Sequence, residues 1–130
     1  MHLWTRNVSP ASILQSKFCA ADRMNGALAH LLSGWQPALW ELIVATVRGA
    51  DGKPVGICGE AAADPLLAVV LVGLGATTLS MAPTALTDVR ASLLQYTLAD
   101  ARRIADAALA ADDAASARAA AQAAADQTAA

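Results

Sequence analysis

The chain has 130 residues, of which 56% are hydrophobic, 15% charged and only 4% aromatic, with a formal net charge of -2. That length suits one ordinary domain and falls short of a complete eight-unit barrel of roughly 250 residues. The weakly acidic balance, with a pI near 5.5, offers no basic face of the kind that nucleic acid or an anionic bilayer selects.

Alanine supplies 34 of the 130 residues, so much of the apolar content is methyl groups rather than large core side chains. The opening MHLWTRNVSP carries one arginine and no apolar core, so it does not read as a secretory signal. Cys19 and Cys58 are too few and too isolated for a disulfide framework, and neither sits in a CxxC or close Cys/His cluster that could seat zinc. A reducing cytoplasm is the expected compartment. Pro65–Thr87 is an uncharged run of 23 residues, long enough on length alone to span a bilayer. Its densely apolar part is only LLAVVLVGL, followed by Gly75, two threonines, Ser80 and Pro83, and no membrane insertion is expected.

NGALAHLL leads to a Gly-Trp break, after which QPALWELIVATVRG reads as a helix with Pro37 at its first position. Leu39, Leu42, Ile43 and Val47 share one face, and Gly49 with Asp51-Gly52 closes the element. Pro54–Cys58, a short apolar run bounded by Pro and Gly, predicts a buried strand. Asp64-Pro65 predicts an N-cap and first turn for a helix over LLAVVLVGL that stops at Gly73 or Gly75. A second strand is predicted at Thr77–Met81, then a turn at Pro83, then a helix near Thr87–Gln95 capped by Thr87 or Asp88. The alternation of helix and strand marks parallel α/β units rather than a bundle, and both strands are expected to be covered on both faces. The closing helix begins with Thr97 as N-cap and Asp100 as the third residue of a capping box. Beyond Leu109 there is no Leu, Ile, Val, Met or Phe, so residues 110–130 are expected as an Ala-rich helical or frayed tail with little to dock.

Parallel α/β proteins gather their sites at the carboxyl ends of strands, which selects Cys58, Gly59 and Glu60 after one strand and Met81, Ala82 and Pro83 after the next. Read as residues alone, Cys58 is either a small core side chain or a thiol able to act as acid, base or nucleophile.

The segments become more specific when read together. GICGEAAADP at Gly56–Pro65, AADRMNGALAHL at Ala20–Leu31, Gln36-Pro37 before a helix, and TLADARRIADAAL at Thr97–Leu109 stand in one order. They resemble the patterns GxCGExAGDP, AADRxNxxxAHL, Ser/His-Pro and the closing helix of the PEP-utilising enzyme family, most closely its Enzyme I branch in the bacterial sugar phosphotransferase system. The resemblance covers residues 18–109, with a small shortening before Gly52, and leaves 1–17 as a divergent N-terminal segment.

It implies the last units of a (β/α)8 TIM barrel, a partial barrel followed by an Ala-rich helix, from a family that moves a phosphoryl group from phosphoenolpyruvate to a histidine and releases pyruvate. By resemblance Cys58 is the proton donor to the enolate carbon, Glu60 supports it through hydrogen bonds, and Arg23 grips the substrate's anionic groups with a bidentate fork. On its own, Arg23 beside Asp22 reads equally as a solvated surface residue. The family binds Mg2+ through a Gly-Thr-Asn-Asp-Leu strand end whose positions fall here on Pro10, Ala11, Ser12, Ile13 and Leu14. Ser12 replaces the Asn and Ile13 replaces the metal-binding Asp, and an isoleucine cannot ligate magnesium.

The expected partners are phosphoenolpyruvate and a phosphocarrier protein, as in the family, and transfer by this chain alone is not expected. From a different class of function, the chain could serve as an interaction or oligomerisation module, its open strand edges pairing with a second copy.

Overall fold

The computed structural model describes residues 33–129. Arg23, Cys19 and the Ser12-Ile13 pair lie outside the described residues. Helix α1, Pro37–Gly49, starts at Pro37 as predicted and buries Leu39, Trp40 and Ile43. Trp40 is fully buried and anchored at both ends: its indole N–H donates to the Gly34 carbonyl at 2.8 Å, and its ring meets Trp35 edge-on at 5.7 Å. A tight turn follows, in which the Lys53 N–H donates to the Ala50 carbonyl and both Asp51 and Gly52 take positive φ.

Strand β1, Gly56–Cys58, runs parallel to β2, Thr78–Ser80, with Cys58 opposite Ser80. Both are shorter than the predicted strands. At the amino end the pairing passes to a side chain: the Val55 N–H donates to Thr77 Oγ1 at 2.9 Å, and that hydroxyl donates to the Val55 carbonyl at 3.1 Å. The expectation that both strands are covered on both faces holds only in part. Ile57 is buried, but Thr78 and Ser80 are exposed and Leu79 is half-buried, because among the described residues the sheet has two strands and β2 lies at its edge.

The crossover consists of a short helix α2, Glu60–Ala63, and then α3, Pro65–Gly73. Asp64 caps α3 as predicted, accepting from the Leu66 and Leu67 amides at 3.0 and 3.1 Å. Residues Leu67, Ala68, Val69, Val70 and Leu71 are all buried, so α3 is apolar on every side and forms the centre of the core. It ends in a Schellman motif: the Ala76 N–H reaches the Leu71 carbonyl and the Gly75 N–H the Val72 carbonyl, both at 3.0 Å, with Gly75 at φ 108°. A Cβ on Gly75 would come 2.8 Å from a Val47 methyl, so the motif sits tightly on α1.

Two further corrections concern the C-terminal half. Helix α4, Leu86–Leu93, is capped by neither Thr87 nor Asp88. A 3-10 turn at Pro83–Ala85 runs straight into it, and the Pro83 carbonyl takes the Leu86 amide, so backbone rather than a side chain meets the start of the helix. Helix α5, Leu98–Leu109, does carry the predicted Thr97–Asp100 capping box. It buries Ala101, Ile104, Ala105 and Ala108, whereas Leu98 is exposed. It lies close against α3 because Gly73 has no side chain: a Cβ there would overlap the Ala101 carbonyl oxygen and stand 2.8 Å from the Ala105 methyl.

Of the helical and frayed alternatives the tail takes the helical one, as helix α6, Ala114–Ala129, but contrary to expectation it docks. Ala117, Ala121 and Ala125 recur every fourth residue and are at most 1% exposed. Methyl groups on both α5 and α6 let the helices approach closely, so contact is gained without large side chains. Asp113 caps α6 by accepting from the Ala115 and Ser116 amides, each at 2.9 Å, and from the Ser116 hydroxyl. Those hydrogen bonds, with the Ser116 amide the largest influence, hold the Asp113 carboxyl below its ordinary range. Asp100 is lowered in the same way, first by the Thr97 hydroxyl and then by the Thr97 amide.

Candidate functional site

The register Cys58 to Ser80 brings the carboxyl ends of the two strands side by side. The triplets Cys58-Gly59-Glu60 and Met81-Ala82-Pro83 therefore leave the sheet from neighbouring points, at the end where parallel α/β proteins assemble sites. Cys58 is half-buried and a free thiol. Among the described residues no hydrogen bond is made to or by its sulfur.

Gly59 makes the turn out of the strand at φ 101°, ψ -160°, a conformation that side-chain-bearing residues rarely adopt. Its N–H donates to the Ser80 carbonyl at 3.1 Å, which ties the turn to β2. Its carbonyl accepts from Ala62 and starts α2. A Cβ on Gly59 would meet no described residue within 4 Å, so among the described residues the space beside the turn is open. Glu60 follows as the first residue of α2, exposed to solvent. Among the described residues no hydrogen bond joins its carboxylate to Cys58. The two residues leave the same strand end two positions apart.

Asp64, at the α2–α3 junction, is the most heavily used carboxylate near this segment. Besides capping α3, its Oδ2 accepts from the Trp35 indole N–H at 3.0 Å and lies 3.8 Å from the Arg118 guanidinium. That guanidinium also sits over the Trp35 ring, 5.5 Å from its centre. Sequence reasoning assigned Asp64 its cap but missed Trp35 and Arg118, whose meeting depends on the docking of α6. The signal that could have located α6 is Asp113 followed three residues later by Ser116, ahead of alanines spaced by four.

Among the described residues no three His, Cys, Asp or Glu side chains cluster to hold a metal ion. With Asp64 engaged by two amides, an indole and a guanidinium, the donor set around Cys58 does not fit an octahedral magnesium site. No described helix is long and apolar enough to cross a membrane; the uncharged run at 65–87 is divided between α3, β2 and the turn after it.

Comparison with known proteins shows what the sequence carrying this geometry is similar to. The family described as PEP-utilising enzyme, PEP-binding domain, matches residues 13–114. The phosphoenolpyruvate-protein phosphotransferase of Streptomyces coelicolor is 56% identical over 93 residues, which is 70% of this chain and 17% of that protein. The protein of the same name from Bacillus sp. (strain S) is 40% identical over 92 residues, 69% of this chain and 16% of that protein. The multiphosphoryl transfer protein of Rhodobacter capsulatus is 42% identical over 93 residues, 70% of this chain and 11% of that protein. The chain thus spans about a sixth or less of the length of these relatives. With the Cys58-Gly59-Glu60 strand end lying inside the matched segment, the chain belongs to the PEP-utilising enzyme family, within its PEP-binding domain.

Proposed function

We propose that this chain is the proton-donor portion of a phosphoenolpyruvate-protein phosphotransferase of the Enzyme I type. In this reading β1, α2, α3 and β2 are consecutive units of a (β/α)8 barrel. The observation that carries it is the half-buried Cys58 thiol at the carboxyl end of a parallel strand, beside an open turn and within the matched family segment.

As pyruvate forms, its enolate takes a proton at C3: the Cys58 S–H bond breaks, a C–H bond forms, and the thiolate regains its proton from water. A thiol suits the step because it is neutral before transfer and a competent acid when positioned at the carbon. Arg23 would bind the substrate's anionic groups. Glu60 would support the thiol from the first turn of α2. The family setting is cytoplasmic sugar transport, with a phosphocarrier as acceptor and Mg2+ as cofactor.

Phosphoryl transfer needs metal, arginines and an in-line acceptor to converge. The 130-residue polypeptide brings Arg23 and Cys58 and carries Ile13 at the metal-ligand position, so by itself it is expected not to turn over. The purified protein with phosphoenolpyruvate, Mg2+ and the phosphocarrier should release no pyruvate above background. Mixed with a relative truncated before its own CGE segment it should restore release. In that mixture Cys58→Ala should lower the rate by about 10²-fold or more. Restoration by Cys58→Ala equal to that of the native chain would overturn the assignment.

A second reading, a non-catalytic interaction module, is favoured by β2, whose Thr78 and Ser80 are exposed beside strand edges unpaired among the described residues. It expects a defined homodimer in light scattering, where the first reading by itself expects none.

A further inference from the structure

Helix α6 begins at residue 114, where the matched family segment ends. Yet it is tied to the chain at three levels. Ala117, Ala121 and Ala125 are buried along its inner face. Arg103 of α5 donates to Thr128 near its far end while also pairing with Asp100 at 3.3 Å. Near its first turns Arg118 reaches the Trp35 ring and the Asp64 carboxylate.

The last contact has consequences at a distance. One Asp64 oxygen caps α3 while the other holds the Trp35 indole and faces Arg118. Trp35 continues from Gly34, where an added Cβ would stand 3.0 Å from the Ala61 methyl, so this stretch lies directly on α2. The segment between Cys58 and α3 is therefore held at Ala61 from the Gly34-Trp35 side and at Asp64 by the Trp35 indole, and Arg118 touches both Trp35 and Asp64. Arg118 is itself 63% exposed, so it can leave without opening the core.

We propose that α6 is a conformational brace: its docking, transmitted by Arg118 to the Trp35–Asp64 pair, sets how firmly the Cys58–Asp64 segment is held. The segment's relevance to chemistry rests on the function proposed above. The brace does not, because its readouts need no turnover, so the two can fail separately.

The test compares the full chain with Ala121→Asp, which places a carboxylate in the α5–α6 seam, and with Arg118→Met, which keeps the stem and removes the charge. Two quantities are read: hydrogen exchange of peptides covering residues 60–67, and peptide-resolved alkylation of Cys58, which separates it from Cys19. Ala121→Asp should raise exchange at the Leu66 and Leu67 amides by about tenfold or more and speed Cys58 alkylation several-fold. Arg118→Met should move both in the same direction by a smaller factor. Loss of protection in α6 with residues 60–67 and Cys58 unchanged would overturn the brace. Should Ala121→Asp unfold the chain as a whole, Arg118→Met decides, and native exchange and alkylation in that variant would equally refute it.

Discussion

Gly73 sets the distance between α3 and α5, and Gly73→Ala should therefore be far more damaging than one added methyl group suggests. The new Cβ would overlap the Ala101 carbonyl oxygen and stand 2.6 Å from that carbonyl carbon and 2.8 Å from the Ala105 methyl. Two of these obstacles are backbone atoms, which cannot rotate aside. To restore contact the helices must part by about 1 Å, and a gap on that scale forfeits roughly a quarter to a half of each dispersion contact along the seam.

Overpacking of this kind costs about 1–3 kcal/mol, and a backbone obstacle puts Gly73→Ala at the upper end. Alanine's better helix propensity returns at most about 1 kcal/mol, leaving a net loss of about 2 kcal/mol. With a urea slope of roughly 1–3 kcal/mol per molar, the unfolding midpoint should fall by about 1 M, followed by far-UV circular dichroism and by tryptophan fluorescence. Gly49→Ala is the matched control, since a Cβ there meets nothing within 4 Å, and it should raise stability by about 0.5 kcal/mol. A Gly73→Ala midpoint equal to or above that of the native chain would refute the close-approach argument.

Thr77→Val removes the hydroxyl that serves both the N–H and the carbonyl of Val55. Leaving that buried residue's amide unpaired should cost about 1–3 kcal/mol in urea titrations, while Thr77→Ser should lose much less. Asp113→Ala should destabilise the start of α6, visible as faster amide exchange there, with Asp113→Asn close to native at neutral pH. The Asp100 and Asp113 carboxyls are held below their ordinary range in the folded chain. Their contribution is fully present above the unfolded value of about 3.9 and fades as pH falls through the lower folded values. Thermal melts between pH 5 and pH 2 should therefore show a drop that is shallower in Asp113→Asn; an unchanged slope would remove Asp113 from the account.

Local chemistry made the starts of α1, α3 and α5 legible in the sequence. Pro37, Asp64-Pro65 and Thr97 with Asp100 each act within one turn of the chain, so their meaning survives in isolation, and α1, α3 and α5 begin where these residues stand. Gly75 likewise marks the end of α3 because a positive φ is a local demand. What the sequence hid depends on partners far along the chain. Trp40 becomes a core anchor only through Gly34 and Trp35, the exposure of Thr78 and Ser80 follows from a sheet of two strands, and the burial of Ala117, Ala121 and Ala125 needs the alanines of α5 opposite. The strand-end rule and the CGE motif pointed to Cys58 and Glu60, which stand at the carboxyl end of β1 and the start of α2. The adjacency of Ser80 is a matter of register, which no local residue encodes.

The turn at Ala50–Lys53 bears on how such chains vary in length. It projects into solvent between α1 and β1, with Asp51, Gly52, Lys53 and Pro54 all exposed and open space around Gly52. Residues can be lost or gained there without displacing a core side chain, since lengthening an exposed loop costs little entropy. The junction from α3 to β2 has no such slack, because the Schellman turn, Val47 and the Thr77 clasp fix every residue from Leu74 to Thr77. Of these two crossings it is the turn at Ala50–Lys53 that can absorb a change of length, and a peptide tag or a deliberate chain break would be best tolerated there.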